Sequence, residues 1–130
     1  MSGPTVLVVA AALYDESGRV LIAQRPPGKH LAGRWEFPGG KVEPPETPEH
    51  ALIRELREEL AIEATIAGEI ARYDWPPIEL IFYRVRQFRG EPRNLAFEQI
   101  LWEAPSKLPA YDFLDGDIEF VQSMWAGGRG

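Results

Sequence analysis

Residues 39–62 read G-G-K-V-E-P-P-E-T-P-E-H-A-L-I-R-E-L-R-E-E-L-A-I, a glycine turn that runs into a charged helix. Thr47 is a good N-cap, and Pro48 suits the first helical position, where no N–H is needed. Glu49 adds negative charge near the positive end of the helix dipole. Neither Gly nor Pro occurs from Ala51 to Leu60, and most residues there are good helix formers. At about 100° per residue, Leu52, Ile53, Leu56 and Leu60 make a core-facing stripe. Glu55, Glu58 and Glu59 share the opposite side, with Ala51 leaving room above Glu55 and Arg54 four residues from Glu58.

Three carboxylates on one arc repel, at a few tenths of a kcal/mol per solvated pair. Arg54 and Arg57 relieve part of that. A hard divalent cation relieves more, because clustered carboxylate oxygens suit Mg²⁺, Mn²⁺ or Ca²⁺. Mg²⁺ also keeps coordination positions for water and substrate phosphates. The chemical reading is therefore a carboxylate site for a metal-bound phosphate ester. The competing reading is a solvated helix face laced with i,i+4 ion pairs. The preceding residues 35–41, W-E-F-P-G-G-K, shift the balance. They look like a strand that breaks sharply, and glycine lets the backbone approach a ligand closely and offer a carbonyl to the same metal.

The stretch resembles the signature of the Nudix hydrolases. The matching positions are Gly40, Glu46, Arg54, Glu55, Leu56, Glu58, Glu59, Ala61 and Ile62. Ala61 is the one departure, since the family has Gly there, and a left-handed helix exit costs Ala about 1 kcal/mol more than Gly. The resemblance implies an α+β fold, an α/β/α sandwich with a central mixed β-sheet. It implies that Glu55, Glu58, Glu59 and the Gly39 carbonyl bind Mg²⁺ or Mn²⁺. It implies that Arg54 orients the glutamates together with Glu46. Glu55 or Glu98 would be the general base, with Glu91 and Glu103 as substitutes for Glu98.

The flanks of the signature, Q-R-P-P-G-K-H-L-A-G-R-W-E-F-P-G-G-K over residues 24–41, resemble the MutT-type branch of that family. That branch cleaves nucleoside triphosphates, oxidised guanine nucleotides among them, to a monophosphate and pyrophosphate. The resemblance implies that Arg25, His30 and Phe37 line the nucleotide pocket, that Trp75 contacts the base, and that Leu80 adds to the wall. Asp117 falls where the branch often has an Asn that reads the guanine edge, with Asp115 as competitor. An ionised Asp only accepts hydrogen bonds, whereas Asn also donates. The residues alone also allow a solvated loop histidine at 30, a surface charge at 25, a core aromatic at 75 and a helix cap at 117. Other expectations stay open: ADP-ribose, a dinucleoside polyphosphate or a pyrimidine triphosphate as substrate, or a nucleotide-binding module without catalysis. Intact Arg54, Glu55, Glu58 and Glu59 weigh against the last.

Outward from the signature, the chain reads as short strands and one more helix. Residues 6–13 and 19–25 are apolar strands joined by D-E-S-G, expected as a hairpin. Residues 26–34 form a loop. Residues 63–73 alternate imperfectly, 73–77 (Y-D-W-P-P) bend, and 78–88 and 99–102 are strand-like. Residues 105–112 read as a loop. Residues 117–125 read as a final helix with Ile118, Val121 and Trp125 on one face, and 126–130 as a mobile tail.

The 130 residues, 45% hydrophobic, suit one compact domain over 1–130. No apolar run long enough to span a membrane occurs, and no basic segment precedes an apolar stretch at the N-terminus. The absence of Cys excludes disulfides, thiolate zinc sites and cysteine nucleophiles, and agrees with a cytoplasmic setting. A net charge of −6 disfavours a nucleic-acid polymer as partner. It leaves room for a small phosphate compound, because bound cations reverse the local field. A monomer or homodimer is expected.

Overall fold

The computed structural model describes residues 5–127. Among the described residues, seven strands and two α-helices follow one another: β1 (Val6–Leu13), β2 (Val20–Gln24), β3 (Trp35–Glu36), β4 (Gly39–Lys41), α1 (Pro48–Leu60), β5 (Glu63–Trp75), β6 (Ile78–Arg89), β7 (Gln99–Glu103) and α2 (Ile118–Gly127). The strands form a mixed sheet ordered β4-β1-β6-β5 and a smaller one ordered β3-β2-β7. The β1–β6 pair is parallel and the other pairs are antiparallel.

Alternation along the central strands assigns each side chain to one of two cores, as a period of two requires. Val9, Ala11 and Leu13 of β1, with Ile81, Tyr83 and Val85 of β6, pack toward Leu52, Leu56 and Leu60 of α1. Ala10 and Ala12 of β1, with Leu80 and Phe82 of β6, face the other way, into a cluster with Phe113, Phe120 and Val121. The helices thus lie on opposite faces of the strands. Each fully buried leucine of α1 contributes about 1.5–3 kcal/mol of burial free energy.

Several expectations change. The anticipated β1–β2 hairpin is reduced to one bridge, Tyr14 with Val20, beyond which the strands part into different sheets. Both strands are apolar on both faces, and each takes a central place between two neighbours rather than an edge. On α1 the buried residues are Ala51, Leu52, Leu56 and Leu60. Ala51 therefore belongs to the core side rather than above Glu55, and Ile53 is only half-buried. Residues 105–110, expected as a loop, form a 3₁₀ helix, as do 115–117. On α2, Phe120 and Val121 are buried whereas Ile118 is exposed; the side chain of Trp125 lies outside the described residues. Residues 126 and 127 are helical rather than a tail, and 128–130 lie outside the described residues.

Candidate active site

The stretch that organises the site crosses from one sheet to the other. Trp35 and Glu36 pair with Gln24 and Ala23 of β2. After Phe37 and Pro38 the chain switches sheets, and Gly39, Gly40 and Lys41 pair with Ala10, Val9 and Val8 of β1. Pro38 has no N–H to donate to a ladder, so it suits the crossing point. The landing requires glycine at 39, where a Cβ meets backbone, while a Cβ at 40 would displace the Glu55 carboxylate. A Cβ on Gly39 would stand 2.0 Å from the Val9 carbonyl oxygen, and one on Gly40 would stand 2.5 Å from the Glu55 carboxylate.

Helix α1 begins as its caps dictate: the Thr47 hydroxyl accepts the His50 amide at 3.2 Å, with Pro48 in the first turn. It ends at Ala61, left-handed at φ 57° and ψ 36°, whose N–H donates to the Arg57 carbonyl. Between these ends Arg54 gathers the acidic residues. Its Nε and Nη2 grip both oxygens of Glu46 at 3.0 and 2.6 Å. Its Nη1 reaches Glu55 at 3.0 Å and Glu58 at 3.4 Å, and Nη2 also donates to the Lys41 carbonyl at 3.2 Å. That two-pronged hydrogen bond from Arg54 holds the Glu46 carboxyl at a pKa of about 2.

Glu59 turns the other way and accepts the Gly39 N–H at 3.1 Å. Burial, reinforced by the charges of Glu55 and Glu36, pushes its carboxyl up to about 8. Burial also raises Glu55. Among the described residues, no three acidic or imidazole side chains are already drawn together into a closed metal cage. Arg54 occupies Glu55 and Glu58, and Glu59 is tied to the β4 backbone.

Glu55, Glu59, Gly39 and Gly40 line a cleft of about 610 Å³. Arg25, Lys29, His30, Glu36 and Lys41 line it as well, as do Trp75, Leu80 and the 114–117 segment. Arg25 is held by Glu36 at 3.1 Å and by the His30 carbonyl at 2.8 Å. Trp75 is 53% exposed and stands in the cleft rather than in the core. Asp117 is 6% exposed, and its carboxyl accepts the Phe37 N–H. Burial, with the nearby Glu36 charge, pushes Asp117 up to about 8, which favours the neutral acid.

A family model for the NUDIX domain matches residues 4–124. The chain belongs to the Nudix hydrolase family. It is 37% identical over 125 residues to the CTP pyrophosphohydrolase of Escherichia coli K12, covering 93% of each chain. It is 43% identical over 88 residues to the 8-oxo-dGTP diphosphatase of Proteus vulgaris, covering 65% of this chain and 79% of that one. A solved MutT structure, from work on the Aliivibrio salmonicida and Vibrio cholerae proteins, superposes with a TM-score of 0.86 at 31% identity, covering 95% of this chain and 98% of that one. As a Nudix hydrolase of the MutT type, the chain is a nucleotide pyrophosphohydrolase, from a family that generally needs a divalent cation.

Within this Nudix cleft most expected residues share one cavity and some do not. Arg25, His30, Gly39, Glu55, Glu59, Trp75, Leu80 and Asp117 line it. Glu58 is not part of the lining; its side chain is 58% exposed beside Arg54. Phe37 borders the cleft, but its ring is 3% exposed and stacks on Phe113 at 5.3 Å, so it supports the floor rather than meeting a ligand. Glu98 is exposed just before β7, outside the lining that its neighbours Ala96 and Phe97 join. Its two substitutes sit elsewhere: Glu91 borders a different hollow, and Glu103 is engaged by the Tyr111 hydroxyl. Asp117 is not a helix cap, and Asp115 is turned to Arg34 at 3.6 Å. Glu36, absent from the sequence-based set, is a half-buried acid near Arg25, Glu59 and Asp117. A lone acid between the buried aromatics Trp35 and Phe37 was the signal for it, since alternation turns it to the opposite face.

Proposed function

We propose that this Nudix hydrolase cleaves a nucleoside triphosphate to a nucleoside monophosphate and pyrophosphate, using Mg²⁺ or Mn²⁺. The observation that carries this reading is one continuous cleft whose lining brings together the carboxylates Glu55 and Glu59, the cations Arg25, Lys29 and Lys41, and Trp75, Leu80 and Asp117. A polyphosphate, bound through cations, and a base need those three kinds of group within one site.

The donor set fits a hard divalent cation, being all oxygen. Glu55, Glu58, Glu59 and the Gly39 carbonyl would hold it. Burial, and after it the neighbouring carboxylates, raise Glu55 and Glu59, and a bound cation would offset both effects. When bound, the ion neutralises the polyphosphate and lowers the pKa of a coordinated water.

The chain's own residues do the rest. Arg54 fixes Glu55 and Glu58 while Glu46 fixes Arg54, so the acidic face keeps its shape before substrate arrives. Arg25, Lys29 and Lys41 present positive charge to the phosphates. Glu55 takes the proton from the attacking water. It stands in the cleft, and burial raises its proton affinity toward the working range of a general base. Glu98 is the alternative base, reached from the loop beside Ala96 and Phe97. Trp75 stacks on the base, a contact worth about 1–3 kcal/mol.

Asp117 supports two base classes. A neutral carboxyl offers one donor and one acceptor side by side. That matches the N3 and amino group of cytosine, and equally the O6 and N1–H of guanine or its 8-oxo form. The relatives named for CTP and for 8-oxo-dGTP agree with such a pocket. A pyrimidine triphosphate is accordingly the second reading, beside an oxidised purine deoxynucleotide. Residues 1–130 act as one domain, as a monomer or homodimer. A cytoplasmic site of action accords with the absence of cysteine.

The deciding experiment incubates the protein with a panel of triphosphates, including CTP and 8-oxo-dGTP, in Mg²⁺ or Mn²⁺, and scores released phosphate species. Pyrophosphate from one of these two is expected. Orthophosphate release, or tight nucleotide binding with no release, contradicts the proposal.

A further inference from the structure

Residues 112–117 deliver Leu114, Asp115, Gly116 and Asp117 to the cleft without belonging to a strand or α-helix. Two backbone bonds tie their start to Trp35: the Trp35 N–H donates to the Asp112 carbonyl and the Leu114 N–H to the Trp35 carbonyl, both at 2.9 Å. Between them the Phe113 ring is buried against Phe37. Past Leu114 a single backbone bond, from the Asp117 N–H to the Leu114 carbonyl at 2.9 Å, closes a 3₁₀ turn.

Arg34 bridges both sides of the anchor. Its Nη1 donates to the Phe113 carbonyl at 3.0 Å, its Nε stands 3.4 Å from Asp112, and its Nη2 stands 3.6 Å from Asp115. Among the described residues no other ion pair reaches this segment. The Arg34 carbonyl also accepts the Arg25 N–H at 2.9 Å, which links the same residue to the cation side of the cleft.

Building on the function proposed above, we infer that Arg34 is a positioning residue for base recognition, one guanidinium that sets where Asp117 meets the substrate. Its three nitrogens, fixed in one plane, face three different partners, a spread that a compact ammonium does not reproduce. Pairing with Asp115 also offsets a negative charge at the cleft edge that would otherwise repel a polyphosphate. Displacing a contact group by about 1 Å is enough to weaken a positioned site severely.

The test compares the full-length protein with Arg34→Ala and Arg34→Lys, using amide hydrogen exchange and kinetics. In Arg34→Ala, the Leu114 and Asp117 amides should exchange on the order of tenfold faster, while those of Leu56 and Leu60 on α1 stay as they were. KM should rise on the order of fivefold, with kcat within about twofold. The ratio of kcat/KM between the preferred triphosphate and one with a different base should shrink. Arg34→Lys should fall between wild type and Arg34→Ala. Should Arg34→Ala fail to fold, Arg34→Lys alone decides, and faster exchange confined to Leu114 and Asp117 is required. Unchanged exchange there, equal acceleration over the whole chain, or an unchanged base ratio overturns the inference. A wild-type protein that cleaves no triphosphate defeats the proposed function instead, and the exchange result still judges Arg34.

Discussion

Replacing Glu59 by Gln should stabilise the metal-free protein while removing its activity. The folded carboxyl sits at about 8 because of burial and the charges of Glu55 and Glu36. The unfolded one titrates near 4.5. Between those values the folded state holds a proton that the unfolded state has released, so wild-type stability falls as pH rises from about 4.5 to about 8. From pH 4.5 to pH 7 this spans roughly 2.5 pH units at about 1.36 kcal/mol each, or about 3 kcal/mol. Glutamine has no proton to lose, and its carbonyl oxygen can still accept the Gly39 N–H. Asp117 titrates in the same direction in both proteins and cancels in the comparison. Urea unfolding in EDTA should therefore give nearly equal stabilities at pH 4.5. At pH 7 the Glu59→Gln protein should lead by about 3 kcal/mol, with its turnover in Mg²⁺ lost. A variant less stable than wild type at pH 7, or a difference that ignores pH, would falsify the idea that crowded carboxylates are held here at a cost to the fold.

Three further outcomes are expected. Ala61→Gly should raise stability by about 1 kcal/mol, because Ala61 occupies a left-handed helix exit, and a urea midpoint shift with unchanged m-value reports it. Trp75→Ala should raise KM by roughly 5- to 150-fold with little change in kcat, which steady-state kinetics resolves. In wild type, preference for a cytosine triphosphate over a guanine one should fall as pH rises through about 8, where Asp117 loses its donor. Asp117→Asn keeps a donor at every pH, so its preference measured from pH 6 to 9 should be flat.

What could be read from the chain alone follows locality. Helix α1 was legible because its cap, proline and leucines act within a few residues. Ala51 and Ile53 were misassigned since both sit near the border of the apolar stripe, and tertiary packing decides which one turns inward. The apolar runs of β1 and β2 announced strands buried on both faces, yet gave no sign of their partners, so a short turn was mistaken for a hairpin. Gly39 and Gly40 were noticed as a turn, but the reason for glycine, the Val9 carbonyl and the Glu55 carboxylate, is a distant contact. Asp117 was singled out by position, while its charge state depends on burial and on Glu36, neither visible in sequence. Phe37 shows the opposite limit: its place in the flanking stretch marks it at the cleft edge, whereas its ring packs in the core.

Glu55, Glu58 and Glu59 are proposed to act together on one divalent cation site beside β4. Electron paramagnetic resonance of Mn²⁺ titrated into wild type and into Glu55→Gln, Glu58→Gln and Glu59→Gln decides whether they do. Each substitution is expected to weaken binding by at least roughly tenfold in a protein that remains folded. Mn²⁺ bound equally well by all four proteins would contradict the claim.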